Sequence, residues 1–167
     1  MKVSDAMKGI TPNPDFTGDV MADDMILAVD LGETPAASEN DYIVVDDGIT
    51  NQSGALEAAN DDKNYLRRGK VTTKTGTSRT FSIEGDRIAG DAFQDAVLDH
   101  KIKFGKGSAV VKDYVYFNSI TGKGEKGKVS IAIEDDLAGE PTSNATFTAT
   151  LSSRGEPTEY TYTPPTA

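Results

Sequence analysis

The chain has 167 residues, with 27 acidic and 17 basic side chains that give a net charge of −10, and it contains no cysteine. This length predicts one main domain with a single core, and the lack of cysteine excludes disulfides, thiolate metal sites and cysteine nucleophiles. No apolar secretory segment precedes the first strand, and no apolar run approaches the length of a membrane span. We therefore expect a protein that is made in the cytoplasm and contacts no membrane.

The charges fall in three blocks along the chain. Residues 1–62 carry 14 acids and 2 bases, residues 63–128 carry 7 acids and 14 bases, and residues 129–167 carry 6 acids and 1 base. Such blocks produce complementary patches for different partners if folding keeps them apart. Folding can also mix them, and the sequence leaves both outcomes open.

The first part of the chain predicts an arm followed by strands. Residues 1–24 have no periodicity and combine prolines with scattered aspartates, which indicates an arm. Strands are predicted at Met25–Asp30 and Tyr42–Ile49. Residues 53–60 fit a helix by propensity and a strand by alternation. The polar, threonine-rich residues 61–79 predict an extended hairpin or a long loop.

The second part of the chain predicts one helix among strands. A single apolar stripe indicates a helix at about 90–100, which the Asp91 carboxylate can cap. After the helix, Ile102 and Phe104 alternate with lysines. One strand is predicted before the helix, at Thr80–Glu84. Three more are predicted after it, at Val110–Ile120, Lys128–Glu134 and Ala145–Ser152. The fold class is therefore mainly β, a β-sandwich with one flanking helix. Three segments are expected: an N-terminal arm at 1–24, a sandwich domain at 25–155 and a C-terminal arm at 156–167.

Motifs for chemistry are weak throughout. Gly122, Gly124 and Gly127 form a G-x-G-x-x-G, but strands are predicted on both sides, so a hairpin turn is favoured over a dinucleotide site. His100 stands alone, and no serine lies in a nucleophile motif. The paired aspartates do not fit a calcium loop. We predict no catalytic, cofactor-binding or metal-binding residue, and hence no enzyme.

One basic cluster remains as a candidate contact site. The acidic remainder of the chain argues against tight binding of duplex DNA, because phosphates would be repelled. A polar arm that contacts an acidic surface on another subunit is at least as compatible with the pattern. The candidate contact residues are Lys63, Tyr65, Arg67, Arg68, Lys70, Lys74 and Arg79.

From about residue 42 to 163 the order of elements resembles the major tail proteins, or tail tube proteins, of long-tailed, siphovirus-like bacteriophages. The resembling stretches are the strand pair around 46–48, the polar arm 65–70, the strand and helix at 81–96, the segment 101–104, the strand 113–120, the Gly-Lys-rich turn 121–128 and the strand 129–133. Residues 1–24 contribute nothing to the resemblance.

The resemblance implies a virion protein with a tail-tube-like sandwich fold, assembled as hexameric rings that stack into a tube. It implies that genomic DNA leaves through the lumen without specific binding. It also implies contacts with tape measure, tail terminator and distal tail proteins, and no cofactor. The basic cluster would then be an inter-ring contact. An alternative from another class is a β-sandwich module for carbohydrate binding or adhesion on a virion, using tyrosines as platforms; a hydrolase ranks third.

Overall fold

The computed structural model describes residues 1–165 and is built mainly from antiparallel strands. The strands are β1 (Met25–Val29), β2 (Ile43–Val44), β3 (Ile49–Tyr65), β4 (Gly69–Asp86), β5 (Val111–Asn118), β6 (Lys123–Ala138), β7 (Thr146–Ser153) and β8 (Thr158–Thr161). The α-helices are α1 (Val3–Ala6), α2 (Ala92–Val97) and α3 (His100–Lys103). Short 3-10 turns lie at Ala22–Asp24, Glu39–Asp41 and Gly107–Val110. The predicted β-rich fold is confirmed.

Strand β6 divides the sheet into two halves. Its first part pairs with β5 on one side and with β8 on the other, and its second part pairs with β7. The complete order is β2-β1-β5-β6-β7-β4-β3. One half therefore contains β2, β1, β5 and β8, and the other contains β7, β4 and β3; β6 contributes to both.

The main core is formed by one face of the sheet together with helices α2 and α3. Alternate residues of the strands supply its apolar side chains, because successive side chains of a strand point to opposite faces. Helices α2 and α3 contribute Phe93, Val97 and Ile102. The buried strand residues of this core are Leu27, Val29, Phe81, Ile83, Tyr114, Val129, Ile131, Phe147, Ala149 and Leu151.

A second apolar cluster ties both ends of the described chain to the sheet. Ile26 and Ala28 of β1 point away from the main core and pack here, so β1 is buried on both faces. Val3 and Met7 cover them from the N-terminal side, and Tyr160 and Tyr162 pack from the C-terminal side. Strand β8 pairs with β6 of the same chain. Of the residues predicted for the C-terminal arm, 166–167 lie outside the described residues.

The predicted helix at 90–100 forms as two short helices. The Asp91 side chain accepts a hydrogen bond from the Gln94 backbone amide at 2.8 Å, which confirms the predicted cap. Asp99 then adopts an extended conformation and caps α3 through the Lys101 amide at 2.8 Å. A capping aspartate inside the segment begins a new helix and ends the old one. The alternation of Ile102 and Phe104 with lysines thus belongs to a helix and its end.

Several strand boundaries also differ from the prediction, and residues 53–60, for which helix and strand were both open, can be assigned. The strand expected at Tyr42–Ile49 is interrupted by a turn at Gly48, whose φ of +73° suits glycine. The ambiguous residues 53–60 are a strand. The predicted glycine-rich turn is smaller than expected, because Gly124 and Gly127 lie within β6. A Cβ on Gly124 would sit 2.1 Å from the Tyr116 carbonyl oxygen, so this glycine permits close strand packing.

Candidate assembly surfaces

A long arm projects from the sheet. Strands β3 and β4 pair with each other as far as the Tyr65–Gly69 turn, whereas β4 pairs with β7 only from Thr80 to Asp86. Residues 56–79, here called the arm, therefore extend beyond the body with no other strand beside them. Ten residues of β3, from Leu56 to Tyr65, correspond to a length of about 30 Å. The predicted polar loop or hairpin is thus a hairpin that starts earlier than residue 61.

Polar contacts along the arm hold its two strands in register. The Asp62 carboxylate receives a hydrogen bond from the Thr72 hydroxyl at 2.6 Å and forms an ion pair with Lys70 at 2.7 Å. The Lys70 contact is the largest cause that lowers the pKa of Asp62, followed by the Thr72 hydrogen bond. Thr75, at the register shift, donates to the Ala59 carbonyl at 3.1 Å. The arm is therefore an ordered, solvated ribbon.

The outer part of the arm is strongly basic. Residues 63–74 contain five lysines and arginines and no acid. At the turn, Leu66 is 89% exposed and Tyr65 is 52% exposed. Arg67 has a φ of +69°, a conformation that costs an L-residue about 1 kcal/mol. A basic, partly apolar tip with backbone strain is a surface available to a partner.

The base of the arm is fixed by Arg79. Its side chain is 11% exposed, and its Nε donates to the Glu125 carboxylate at 2.7 Å. The guanidinium lies 5.0 Å from the ring centroids of both Phe81 and Tyr116. The Tyr114 hydroxyl donates to the same Glu125 oxygen at 3.0 Å. Burial is the largest cause that raises the pKa of Tyr114, and the Glu125 charge adds to it.

The structure thus separates the seven predicted contact residues into two groups. Six of them lie on the exposed part of the arm, and these are Lys63, Tyr65, Arg67, Arg68, Lys70 and Lys74. Arg79 differs because its guanidinium is engaged within the subunit. Leu56 and Leu66 are exposed on the arm but are not among the predicted contact residues, although a leucine between charged or small residues of a polar segment is a recognisable signal.

The four-stranded half β6-β7-β4-β3 has two outer edges that lack a strand partner within residues 1–165. The outer edge of β3 faces away from β4 along its whole length. The edge of β6 opposite β7 is also unpaired from Ile131 to Ala138, because β5 pairs with β6 only up to Ser130. Unpaired edges present rows of amide and carbonyl groups that can pair with another chain.

The solvent-facing side of the half that contains β6, β7, β4 and β3 is small and polar. At the end away from the arm, this face continues with Asp86, Asp135 and Thr146. Its twelve other positions, which alternate with buried residues, are Asn51, Ser53, Ala55, Thr80, Ser82, Glu84, Ser130, Ala132, Glu134, Thr148, Thr150 and Ser152. These twelve positions include no lysine, arginine or aromatic residue. Their two acids are Glu84 and Glu134, and Glu134 accepts a hydrogen bond from Thr150 at 2.8 Å.

The end of the body opposite the arm is acidic. It is formed by the last residues of β4 and β6, the turn before β3 and the start of α2, and its acids are Asp46, Asp47, Asp86, Asp91, Asp95, Asp135, Asp136 and Glu140. Burial is the largest cause that raises the pKa of Asp46. Arg87 pairs with Asp95, and Lys103 pairs with Asp136 at 2.7 Å. The charge of the subunit is therefore distributed unevenly along its length, with a basic arm at one end and an acidic cluster at the other.

Residues 1–165 contain no group of three or more His, Asp or Glu placed to hold a metal ion. In the same residues no helix is long and apolar enough to cross a bilayer. Tyr65 is exposed, whereas Tyr114, Tyr160 and Tyr162 are buried and Tyr42 and Tyr116 are partly buried. The tyrosine platform of the carbohydrate-binding alternative is therefore reduced to one exposed residue, Tyr65.

Comparison with known proteins agrees with this architecture. No protein-family model matches the chain, and no curated protein is significantly similar in sequence. Solved structures do match. A chain of the virion of a native gene transfer agent particle has a TM-score of 0.60 and 16% identity, over 84% of this chain and 98% of that one. A chain from the tail of an empty gene transfer agent particle, refined with helical and C6 symmetry, has a TM-score of 0.61 and 16% identity, over 86% of this chain and its own entire length. The chain therefore has the fold of these gene transfer agent chains, as its resemblance to tail tube proteins predicted.

Proposed function

We propose that this chain is a non-enzymatic structural subunit of the tail tube of a phage or phage-like particle, assembled as stacked rings of six. The observation that carries the proposal is the four-stranded half of the sheet, which ends in two unpaired edges. The fold shared with a chain of a C6-symmetric tail supports the tail location and the number six. In this role the protein is a virion component.

The strand directions allow that half to close into a ring. β6, β7, β4 and β3 alternate in direction, so β3 runs opposite to β6. When identical copies are arranged around an axis, β3 of one copy can pair antiparallel with β6 of the next, and the alternation continues without a break. Six copies with four strands each form a closed barrel, and closure pairs both outer edges of this half. The contact is heterologous, as a ring requires.

The polarity of the subunit provides the stacking contact. The arm leaves the body at one end, and the acidic cluster lies at the other end. When rings stack head to tail, the arm of one copy crosses the boundary and runs along a copy in the next ring. Its basic outer part then meets acidic surface, and we expect this attraction to weaken as salt is added.

The small polar face of the four-stranded half would line the lumen. In a closed barrel one face of this half packs against the main core, and the other faces the axis. At the twelve positions named above, that second face carries two glutamates per copy among hydroxyl and amide groups, and Asp86 and Asp135 add negative charge at one end of it. A duplex passing through would meet no lysine or arginine at these positions and would slide without specific binding. We further propose that tape measure, tail terminator and distal tail proteins are its partners at the ends and inside the tube.

Electron microscopy of the purified protein tests the proposal. We expect hollow rods of uniform diameter with six-fold rings, formed spontaneously or after nucleation by partner proteins. A protein that stays monomeric at high concentration and with those partners, and binds glycans as a monomer, would contradict the proposal and favour the adhesion alternative.

Removal of the arm tests the stacking contact separately. Leu56 and Arg79 are directly paired, so residues 57–78 can be replaced by an Asn-Gly turn that joins the two strands. We expect folded subunits or single rings with an unchanged melting temperature and no rods. A control with Thr73→Ser and Thr77→Ser keeps the length and charge of the arm and should form rods. Rods of normal length from the shortened protein would show that the arm does not stack the rings.

A further inference from the structure

We propose that Leu56 and Leu137 form the apolar contact across the boundary between rings, with an ion pair between Lys74 and Asp135 beside it. The partner is a second copy of this chain in the adjacent ring. The inference rests on the proposed function, since it names the residues through which the ends of two stacked copies meet.

The first half of this contact lies where the arm leaves the body. Leu56 is the β3 residue paired with Arg79, one pair beyond the last strand pairs that β4 makes with β7. It is 65% exposed, although it stands next to the best-fixed point of the arm. Leu56 and Lys74 line the same open groove between the arm and the segment that connects β7 to β8. An exposed leucine on a rigid base provides a contact that needs little reordering on binding.

The second half lies at the opposite end of the body, on β6. Leu137 has a φ of +52° and is 55% exposed. The pairing of β6 with β7 is irregular between Asp135 and Ala138, and this bulge turns Leu137 outward. A branched side chain in a left-handed conformation costs about 1 kcal/mol or more, and glycine would avoid that cost. The strain therefore holds an apolar side chain in solvent, where it gains nothing within the subunit.

The charges beside the two leucines are complementary. Lys74 lies further out on the arm and has no acidic partner among the described residues. Asp135 lies two residues before Leu137, is exposed, and has no basic partner among residues 1–165, whereas its neighbour Asp136 is paired with Lys103. Each subunit thus offers Lys74, which lines the same groove as Leu56, and Asp135, which lies beside Leu137, for an ion pair with another copy.

The geometry of stacking brings these two sites together. Strand β7, from Thr146 to Ser153, separates the two ends of the body by about 25 Å. Copies that stack in the same orientation place the Leu56 end of one against the Leu137 end of the next. Leu56 then stands at the boundary, and Lys74, further along the arm, passes it and lies level with residues that precede Leu137. Both β3 and β6 belong to the proposed inner barrel, so the contact lies on its wall.

The absence of cysteine from the chain makes cross-linking a direct test. In the variant Leu56→Cys with Leu137→Cys, oxidation of assembled rods should join copies of adjacent rings. Each copy has one cysteine at either end, so a heterologous contact gives a ladder of multiples of the 17.7 kDa chain on a non-reducing gel. The matched control is Leu66→Cys with Leu137→Cys, because Leu66 is more exposed but lies at the tip of the arm. The control should give little ladder.

The cross-linking results distinguish failure of this contact from failure of the proposed function. Rods that form from Leu56→Cys with Leu137→Cys but give no ladder would overturn it, as would a stronger ladder from the control. If the unmodified protein forms no rods or rings under any condition, the proposed function fails and this contact fails with it. Rods without this cross-link leave the tube function intact and reject only the two leucines as its boundary contact.

A charge exchange supplies a second, independent measurement. Lys74→Glu alone and Asp135→Lys alone should each shorten the rods, and the double variant should restore their length. Each substitution lies on an exposed side chain, so the subunit should fold in every case. Equal loss in the double variant would reject the ion pair.

Discussion

Arg79 and Glu125 connect the base of the arm to the strand that both halves of the sheet share. Their 2.7 Å ion pair is mostly shielded from solvent, and the guanidinium packs against the adjoining rings of Phe81 and Tyr116. We expect Arg79→Met to lower the free energy of unfolding by about 2 kcal/mol, because it leaves the Glu125 carboxylate without its charged partner. Hydrogen exchange at the amides of the arm should increase as well. Urea unfolding measures the first effect, and Arg68→Met, at the exposed tip, is the control that should change neither.

Substitution of Arg67 tests whether the strained backbone at the tip of the arm contributes to assembly. Arg67→Gly should raise the free energy of unfolding by up to about 1 kcal/mol, since glycine adopts positive φ without strain. The same variant should give fewer or shorter rods if the arginine contacts the next ring. Thermal unfolding and electron microscopy of the same sample measure the two effects. Longer or more abundant rods would show that Arg67 makes no favourable inter-ring contact.

The lumen assignment predicts a change in DNA retention. Rods of Glu84→Lys with Glu134→Lys should hold short duplex DNA in a salt-sensitive way, because positive charge would then line the channel. Unmodified rods should release it. Sedimentation of rods with fluorescent duplex measures retention. The variant Asp15→Lys with Glu33→Lys makes the same change of net charge at exposed positions outside this face and should not retain DNA; equal retention by both would contradict the assignment.

The ion pair between Glu39 and Lys126 predicts an acid-dependent loss of stability. The hydrogen bond from Lys126 is the largest cause that lowers the pKa of Glu39 below its ordinary value. A carboxyl whose pKa is lower in the folded state binds its proton more readily in the unfolded state. Its contribution is therefore complete above the unfolded pKa and is lost as the pH falls through the folded pKa.

Comparison with Glu39→Gln isolates this effect. At neutral pH the variant should be less stable by about 0.5–1 kcal/mol, since the pair is partly exposed. The difference in stability between the two proteins should shrink as the pH falls, and it should vanish where Glu39 is protonated in both the folded and the unfolded state. Urea unfolding at several pH values measures it. A difference that does not change with pH would mean that the charge of Glu39 does not stabilise the fold.

Parts of the fold that depend on local chemistry were predictable from the sequence. Period-two alternation identified the strand that contains Phe147 and Leu151, and the carboxylate of Asp91 marked the start of α2. The extent of the glycine-rich turn depended instead on a contact with a neighbouring strand. At Gly124 the neighbouring strand β5 packs too closely for a side chain, so this glycine belongs to β6 and not to a turn. A sequence pattern of three glycines gives no sign that β5 lies so close.

The candidate assembly surfaces were also predictable only in part. The polar composition of residues 61–79 predicted an extended arm, and the contact role of its six exposed candidate residues stays a prediction. The pattern treated Arg79 as one more base of the arm, yet the fold places Glu125, which is 46 residues further along the chain, against its guanidinium. Leu137 became notable only because its backbone conformation and exposure are known.

By itself the sequence determined the β-rich class, the helix after β4, the basic arm and the blocks of charge, because each depends on residues close together in the chain. The tertiary structure decided which strand edges stay unpaired, that the basic arm and the acidic end lie at opposite ends of the body, and which face is small and polar. Those properties arise from pairing between segments that are far apart in the sequence, and packing of the whole sheet selects one such arrangement.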